Sequence, residues 1–156
     1  MRNKYVIILL CLIASLVFMF LNPYKIIVVR GNSMYPTLKN GQVLLAKKYS
    51  QLIKGDIVIA KNDFEEVIIK RILYVPGEYY YFFYNLESQD SLYELLYDNS
   101  YKSISNFKTE HLNQSLIESK VPIGHYYLTG DNKDNSDDSR RFGTVEEKDI
   151  LYKVIR

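Results

Sequence analysis

Two side chains in this sequence could together make a hydrolase. Ser33 sits in the run Gly31-Asn32-Ser33-Met34-Tyr35-Pro36-Thr37-Leu38, and Lys70, thirty-seven positions later, sits in Val67-Ile68-Ile69-Lys70-Arg71. A serine hydroxyl is a weak nucleophile until a neighbouring base takes its proton. A lysine amine, with an unperturbed pKa of about 10.4, acts as a base near neutral pH only where burial disfavours its charged form. Gly31 frees the backbone for a sharp turn, and Pro36 restricts Tyr35 to extended geometry. On such a turn the Ser33 hydroxyl and amide can face the same space, with the amide serving a developing oxyanion. If residues 66–74 form a strand, Ile68, Lys70 and Ile72 share one face, which would desolvate the amine. Each residue also has an ordinary reading. Ser33 could be a plain turn serine with Met34 anchoring the turn in the core, and Lys70 could lie on a solvated edge strand with Val67, Ile69 and Leu73 buried. Arg71 falls on the opposite face, where it can pair with a carboxylate.

A third polar cluster runs from Gly130 to Gly143, Gly-Asp-Asn-Lys-Asp-Asn-Ser-Asp-Asp-Ser-Arg-Arg-Phe-Gly. Its short polar side chains bond local backbone readily, and its acids and two arginines suggest a loop locked by charge. A calcium loop is the rival. The EF-hand pattern needs an oxygen ligand at its third place, glycine at its sixth and glutamate at its twelfth. Counted from Asp131 those places hold Lys133, Ser136 and Phe142, so that pattern fails, and only a looser calcium site stays open. The two histidines, His111 and His125, lie in no run resembling a catalytic signature. No Cys/His cluster supports zinc. We expect no metal and no cofactor.

These residues need a scaffold. Short β-branched runs at Lys25–Arg30, Val43–Lys47, Asp56–Ala60, Glu66–Tyr74, Tyr79–Tyr84 and Tyr126–Leu128 read as strands. Turn signals at Lys39-Asn40-Gly41, Lys54-Gly55-Asp56, Val75-Pro76-Gly77 and Gly130-Asp131-Asn132 separate them. The expected fold is mostly β, a coiled β-barrel or sandwich. Lys148–Arg156 could close the sheet. Residues 87–120 are polar and weakly patterned, and read as a variable surface excursion with a hairpin or short helix, set on the scaffold rather than in the site.

Tyr5 to Leu21 is a run of 17 residues without a charge, close to the ~20 that span a bilayer core. A cleaved signal peptide fits less well, because its apolar region is shorter and Leu21-Asn22-Pro23-Tyr24 offers no small-x-small cleavage site. The expected organisation is residues 1–4 in the cytoplasm, 5–21 as one transmembrane anchor, and 22–156 as an extracytoplasmic β-rich catalytic domain. Tyr5 and Tyr24 would take interfacial positions, and long following domains translocate largely regardless of charge. The aromatic stretch Tyr79–Tyr84 could rest in the interface or belong to the core. The net charge of +2 gives no ground for nucleic-acid binding. Cys11 is the single cysteine, so no internal disulfide forms and the core must hold the fold.

Taken in order, these runs resemble the type I signal peptidases, membrane-bound Ser–Lys proteases that remove secretory signal peptides. Ser33–Leu38 resembles the family's nucleophile box, Gly55-Asp56-Ile57-Val58 its next box, Lys70–Glu78 the box of the general base, and Gly130-Asp131-Asn132 to Ser139-Arg140 its final box. The resemblance spans nearly the whole chain, and its joint order is far more specific than any single box. It implies Ser33 as nucleophile, Lys70 as general base and Ser136 as the hydroxyl that orients the amine. It implies an Asp138–Arg140 ion pair, Arg71 as the basic neighbour of the base, and Gly130 and Asn132 as residues shaping the loop. Some members carry an oxyanion hydroxyl two residues before the nucleophile. Here that place is Gly31, as in the short single-anchor, Gram-positive-like branch, which leaves the oxyanion hole to backbone. The implied substrates are secretory precursors with small residues before the cut, met at the plasma membrane. Competing readings are a peptidase dedicated to one class of surface protein, a self-cleaving repressor, and a non-catalytic assembly chaperone. The repressor would need a DNA-binding domain in place of the apolar run, and the chaperone would be expected to lack Ser33 or Lys70.

Overall fold

In the computed structural model the backbone is described over residues 2–21, 23–84, 93–96 and 116–155. Among the described residues an N-terminal helix, α1 (Arg2–Leu21), precedes ten strands: β1 (Tyr24–Val28), β2 (Val43–Lys47), β3 (Ile57–Lys61), β4 (Val67–Tyr74), β5 (Tyr79–Tyr84), β6 (Tyr93–Leu96), β7 (Leu116–Lys120), β8 (His125–Thr129), β9 (Val145–Glu146) and β10 (Ile150–Val154). One short helical turn, α2 (Ser139–Phe142), lies between β8 and β9. The expected strands lie within a residue or two of the observed ones.

The strands form a seven-stranded antiparallel sheet in the order β1-β2-β10-β3-β4-β8-β9 and a three-stranded sheet in the order β6-β5-β7. The expected mostly-β fold takes the form of antiparallel sheets, and among the described residues no pairing joins β1 to β9. The C-terminal strand does not close an edge either. β10 runs through the interior, with Lys153 opposite both Lys47 on β2 and Val58 on β3, and so joins the β1–β2 hairpin to the β3–β4 hairpin.

β3 explains where the core sits. Its run Ile57-Val58-Ile59-Ala60 is buried on both faces, as a continuous apolar strand should be. Ile57 and Ile59 enter a cluster with Val29, Met34, Leu38 and Leu44, while Val58 and Ala60 enter another with Leu52, Ile72, Leu128 and Ile150. A third group stacks Tyr74, Tyr80 and Tyr127, with ring centroids 4.6 to 5.8 Å apart. Tyr80 of the aromatic stretch therefore packs in the core. Of the 87–120 excursion, β6 and β7 flank β5; the rest of it, His111 included, lies outside the described residues.

Helix α1 exposes Tyr5, Ile7, Leu9, Leu12 and Leu16, so its apolar surface is not buried against the sheets. Among the described residues no helix is long and apolar enough to cross a membrane.

Candidate active site

Ser33 lies on a turn held from both sides. Gly31 has φ +84°, the left-handed geometry that glycine adopts without strain, and its N–H donates to Asn40 Oδ1 at 3.0 Å. Tyr35 N–H donates to the Asn32 carbonyl at 3.1 Å and Leu38 N–H to the Met34 carbonyl at 2.8 Å, which winds the chain tightly around the serine. The Tyr35–Pro36 peptide is cis. Met34 is 2 % exposed and packs with Val29, Leu38 and Leu44. The turn is thereby rooted in the core one residue past the half-exposed serine.

Lys70 stands on β4, between β3 and β8, opposite Val58. It is 4 % exposed and shares its face with buried Ile72 and part-buried Ile68. The solvated edge-strand reading is thus excluded by the burial of Lys70 itself, next to the point at Arg71 where β8 begins to pair with β4. Lys70 Nζ lies 2.9 Å from Ser33 Oγ, its single hydrogen-bond partner among the described residues. Burial lowers the amine's pKa from the ordinary 10.5, against the opposing pull of the Asp138 and Asp137 carboxylates, and the Arg140 guanidinium lowers it further.

Those carboxylates are engaged elsewhere. Asp138, 0 % exposed, accepts from Arg140 Nε at 2.8 Å and Nη2 at 2.9 Å, from Ser136 Oγ at 2.7 Å and from Gly130 N–H at 2.9 Å. Burial alone would raise its pKa, but Arg140, the Gly130 amide and the Ser136 hydroxyl together hold it below the ordinary 3.8. Asp137 pairs with Arg141 at 3.2 Å. The lysine therefore has charges near it but no carboxylate of its own, an arrangement that favours a neutral amine.

The Gly130–Arg140 loop also grips the serine turn. Asn132 N–H donates to the Ser33 carbonyl at 2.9 Å, and Asn132 Nδ2 donates to the Asn32 carbonyl at 3.1 Å. Gly130 is packed so closely that an added Cβ would lie 2.1 Å from Ser136 Oγ and 2.5 Å from the Ser33 carbonyl oxygen. The Ser33 N–H has no partner among the described residues.

On the other side of β4, Arg71 forms a bidentate pair with Asp131 at 2.7 and 2.6 Å and donates to the Gly55 carbonyl at 2.7 Å. Gly55 N–H donates to the Ile72 carbonyl, and Ile72 N–H to the Asp56 carbonyl. The second box thus fastens the strand that carries the lysine. His125 turns its ring nitrogen to the Ile123 carbonyl at 3.3 Å, the local role of a turn histidine.

Nine of the ten residues singled out in the sequence gather at the Ser33–Lys70 pair or its supports, and Met34 lies beneath them. Ser136 is close by, but it donates its hydroxyl to Asp138 and makes no bond to Lys70. Two supporting residues were not singled out. Asp131 is the partner of Arg71, and the lone basic residue beside Lys70 was the signal for it. Ser139, 3 % exposed, accepts from Leu128 N–H at 2.9 Å; nothing in the sequence separates it from the other serines of its loop.

Known proteins resemble this chain. The family described as signal peptidase, peptidase S26, matches residues 2–155. Signal peptidase I V of Bacillus subtilis (strain 168) is 35% identical over 142 residues, covering 79% of this chain and 79% of that one. Signal peptidase IB of Staphylococcus aureus (strain Mu50) is 33% identical over 146 residues, covering 85% and 74% respectively. The crystal structure of a signal peptidase I from Enterococcus faecalis V583 aligns over 70% of this chain and 100% of that one, at 22% identity and a TM-score of 0.42.

Proposed function

The chain belongs to the signal peptidase family, peptidase S26, and from that we propose that it removes signal peptides as a serine endopeptidase in which Ser33 is the nucleophile and Lys70 the general base. The observation that carries the assignment is the 2.9 Å contact between a half-exposed serine hydroxyl and a buried amine. With Lys70 neutral, its lone pair takes the Ser33 proton as Oγ bonds to the scissile carbonyl carbon. The oxygen that becomes anionic meets the unpartnered Ser33 N–H. The ammonium then gives its proton to the departing amine, leaving an acyl ester on Oγ. Water, deprotonated by Lys70, hydrolyses that ester and regenerates both groups. Ser136, whose oxygen keeps acceptor capacity after donating to Asp138, would orient the amine as it moves.

The substrates in this reading are secretory precursors with small residues at the first and third positions before the cut, selected by shallow pockets that exclude larger side chains. Helix α1 would serve as a single anchor with its N-terminus in the cytoplasm and the β domain outside. The support for it is the uncharged run from Tyr5 to Leu21 and the exposed apolar side chains it carries. An anchor would hold enzyme and membrane-borne precursor at high effective concentration.

The test is cleavage of a panel of secretory precursors by the purified protein, Ser33→Ala and Lys70→Ala. Cleavage by the wild type alone is expected. Turnover retained in either variant would overturn the dyad.

A further inference from the structure

β9 pairs with β8 only at His125 and Tyr126. Further along that edge no strand follows among the described residues, yet the edge amides are not left open. Leu128 N–H donates to Ser139 Oγ at 2.9 Å, and Gly130 N–H donates to Asp138 Oδ2 at 2.9 Å. Positions 128 and 130 differ by two, so their amides face the same side of the chain. Two consecutive side chains at the start of α2 therefore continue, atom by atom, the ladder that β9 leaves unfinished. Both acceptors are buried, at 3 % and 0 % exposure.

We propose that Ser139 is a positioning residue for the reaction: its hydroxyl seats the Gly130–Arg140 loop on the end of β8, and through that seat sets the position of the Ser33 turn. This deepens the Ser–Lys reading above and rests on it. The chain of contacts is short. Ser139 fixes where α2 begins, and its neighbour Asp138 takes Gly130 N–H and the Ser136 hydroxyl. Gly130 packs against the Ser33 carbonyl, and Asn132 N–H binds that same oxygen at 2.9 Å. Removing the Ser139 acceptor leaves a buried N–H unpaired and frees one of the two rungs that hold the loop. Displacement of a reacting group by about 1 Å costs about a hundredfold in rate, so a modest slip of this seat reaches the chemistry. Substrate contacts are not part of the chain of contacts, so binding should be spared.

The experiment compares the full-length wild type, Ser139→Ala, Ser139→Thr and Tyr49→Phe. The Tyr49 hydroxyl shares its proton between the Glu147 and Ile150 carbonyls and bonds neither the dyad nor the Gly130–Arg140 loop, and its variant reports what lost stability alone does. Steady-state kinetics with a signal-peptide substrate are measured well below every melting temperature. Ser139→Ala should lower kcat about ten- to a hundredfold with KM within twofold, Ser139→Thr should recover most of the loss, and Tyr49→Phe should melt earlier at unchanged kcat. Wild-type kcat in Ser139→Ala, or a rise in KM alone, overturns the proposal. Amide hydrogen exchange gives a second readout that needs no turnover. In Ser139→Ala the Leu128, Gly130 and Asn132 amides should all exchange faster. Faster exchange at Leu128 alone would show that the seat is not coupled to the Ser33 turn. If Ser139→Ala does not fold, Ser139→Cys, a weaker acceptor, is read by the same criteria. Failure of the wild type to cleave would instead count against the Ser–Lys reading, and leaves the exchange result to decide the coupling.

Discussion

Gly130 lies directly against the carbonyl oxygen of Ser33, and no other residue type fits there. Its backbone is not in the left-handed region, so the requirement is steric. A Cβ would meet Ser136 Oγ at 2.1 Å, the Ser33 carbonyl at 2.5 Å and Ser136 Cβ at 2.6 Å. The serine hydroxyl could rotate aside, but the backbone oxygen could move only with the whole turn. Gly130→Ala should therefore lower kcat/KM by about a hundredfold or more and reduce Tm by several degrees, checked by peptide cleavage and thermal unfolding.

Lys70 sets function against stability. Burial holds its pKa below 10.5 in the folded protein, so between the folded and unfolded values the unfolded chain binds more protons, and stability rises with pH across that window. Lys70→Met removes this dependence and should abolish cleavage. It should also raise Tm by about 2–8 °C near neutral pH, since replacing a buried charge with an apolar group of like size is commonly neutral to stabilising. The Tm advantage over wild type should be largest below the folded pKa and shrink as pH approaches 10.5. The acid limb of kcat/KM should rise through that same lowered pKa. A Lys70→Met protein that melts earlier than wild type at every pH would mean that the amine contributes to the fold.

The strands that carry the dyad were legible because β-branched runs and glycine turns are local signals. Ser33 and Lys70 were legible as types, but not as a pair. Their contact depends on β4 being an interior strand, and that follows from β8 returning to pair with it after the fifty residues 75–124 of intervening chain. The course of β10 through the middle of the sheet was invisible for the same reason: Lys148–Arg156 carries the pattern of a strand but nothing that names its neighbours. The open sheet edge and the Ser139 seat depend on which amides β9 leaves uncovered, which no side-chain pattern encodes.

Asp138 and Arg140 should fail together in acid. Asp138 has its pKa held below the ordinary 3.8 in the fold, so the stability it contributes is present above the unfolded value and lost as pH falls through the folded one. Arg140→Met removes the strongest partner and leaves a wholly buried carboxylate with only the Gly130 amide, the Ser136 hydroxyl and the backbone N–H of position 140. Stripping one member of a buried pair costs about 3–5 kcal/mol. Urea unfolding at neutral pH should show a loss of that order. The onset of acid unfolding in the variant should move to higher pH, because Asp138 will protonate sooner.

Arg71 tests whether the face opposite the dyad matters to it. Its guanidinium spans from the Asp131 carboxylate to the Gly55 carbonyl and so ties the loop that grips Ser33 to the turn before β3. The planar fork makes two parallel bonds to Asp131, which a lysine ammonium cannot reproduce. Arg71→Lys keeps the charge and loses the geometry, so it separates the two. Cleavage should fall about tenfold, with most of the change in kcat. In a double-mutant cycle over Arg71→Met and Asp131→Asn the two residues, both mostly buried, should couple by about 1–3 kcal/mol in unfolding free energy. Full activity in Arg71→Lys would mean that charge alone holds the loop. Additive losses in the cycle would mean that the bidentate pair does not act as a unit.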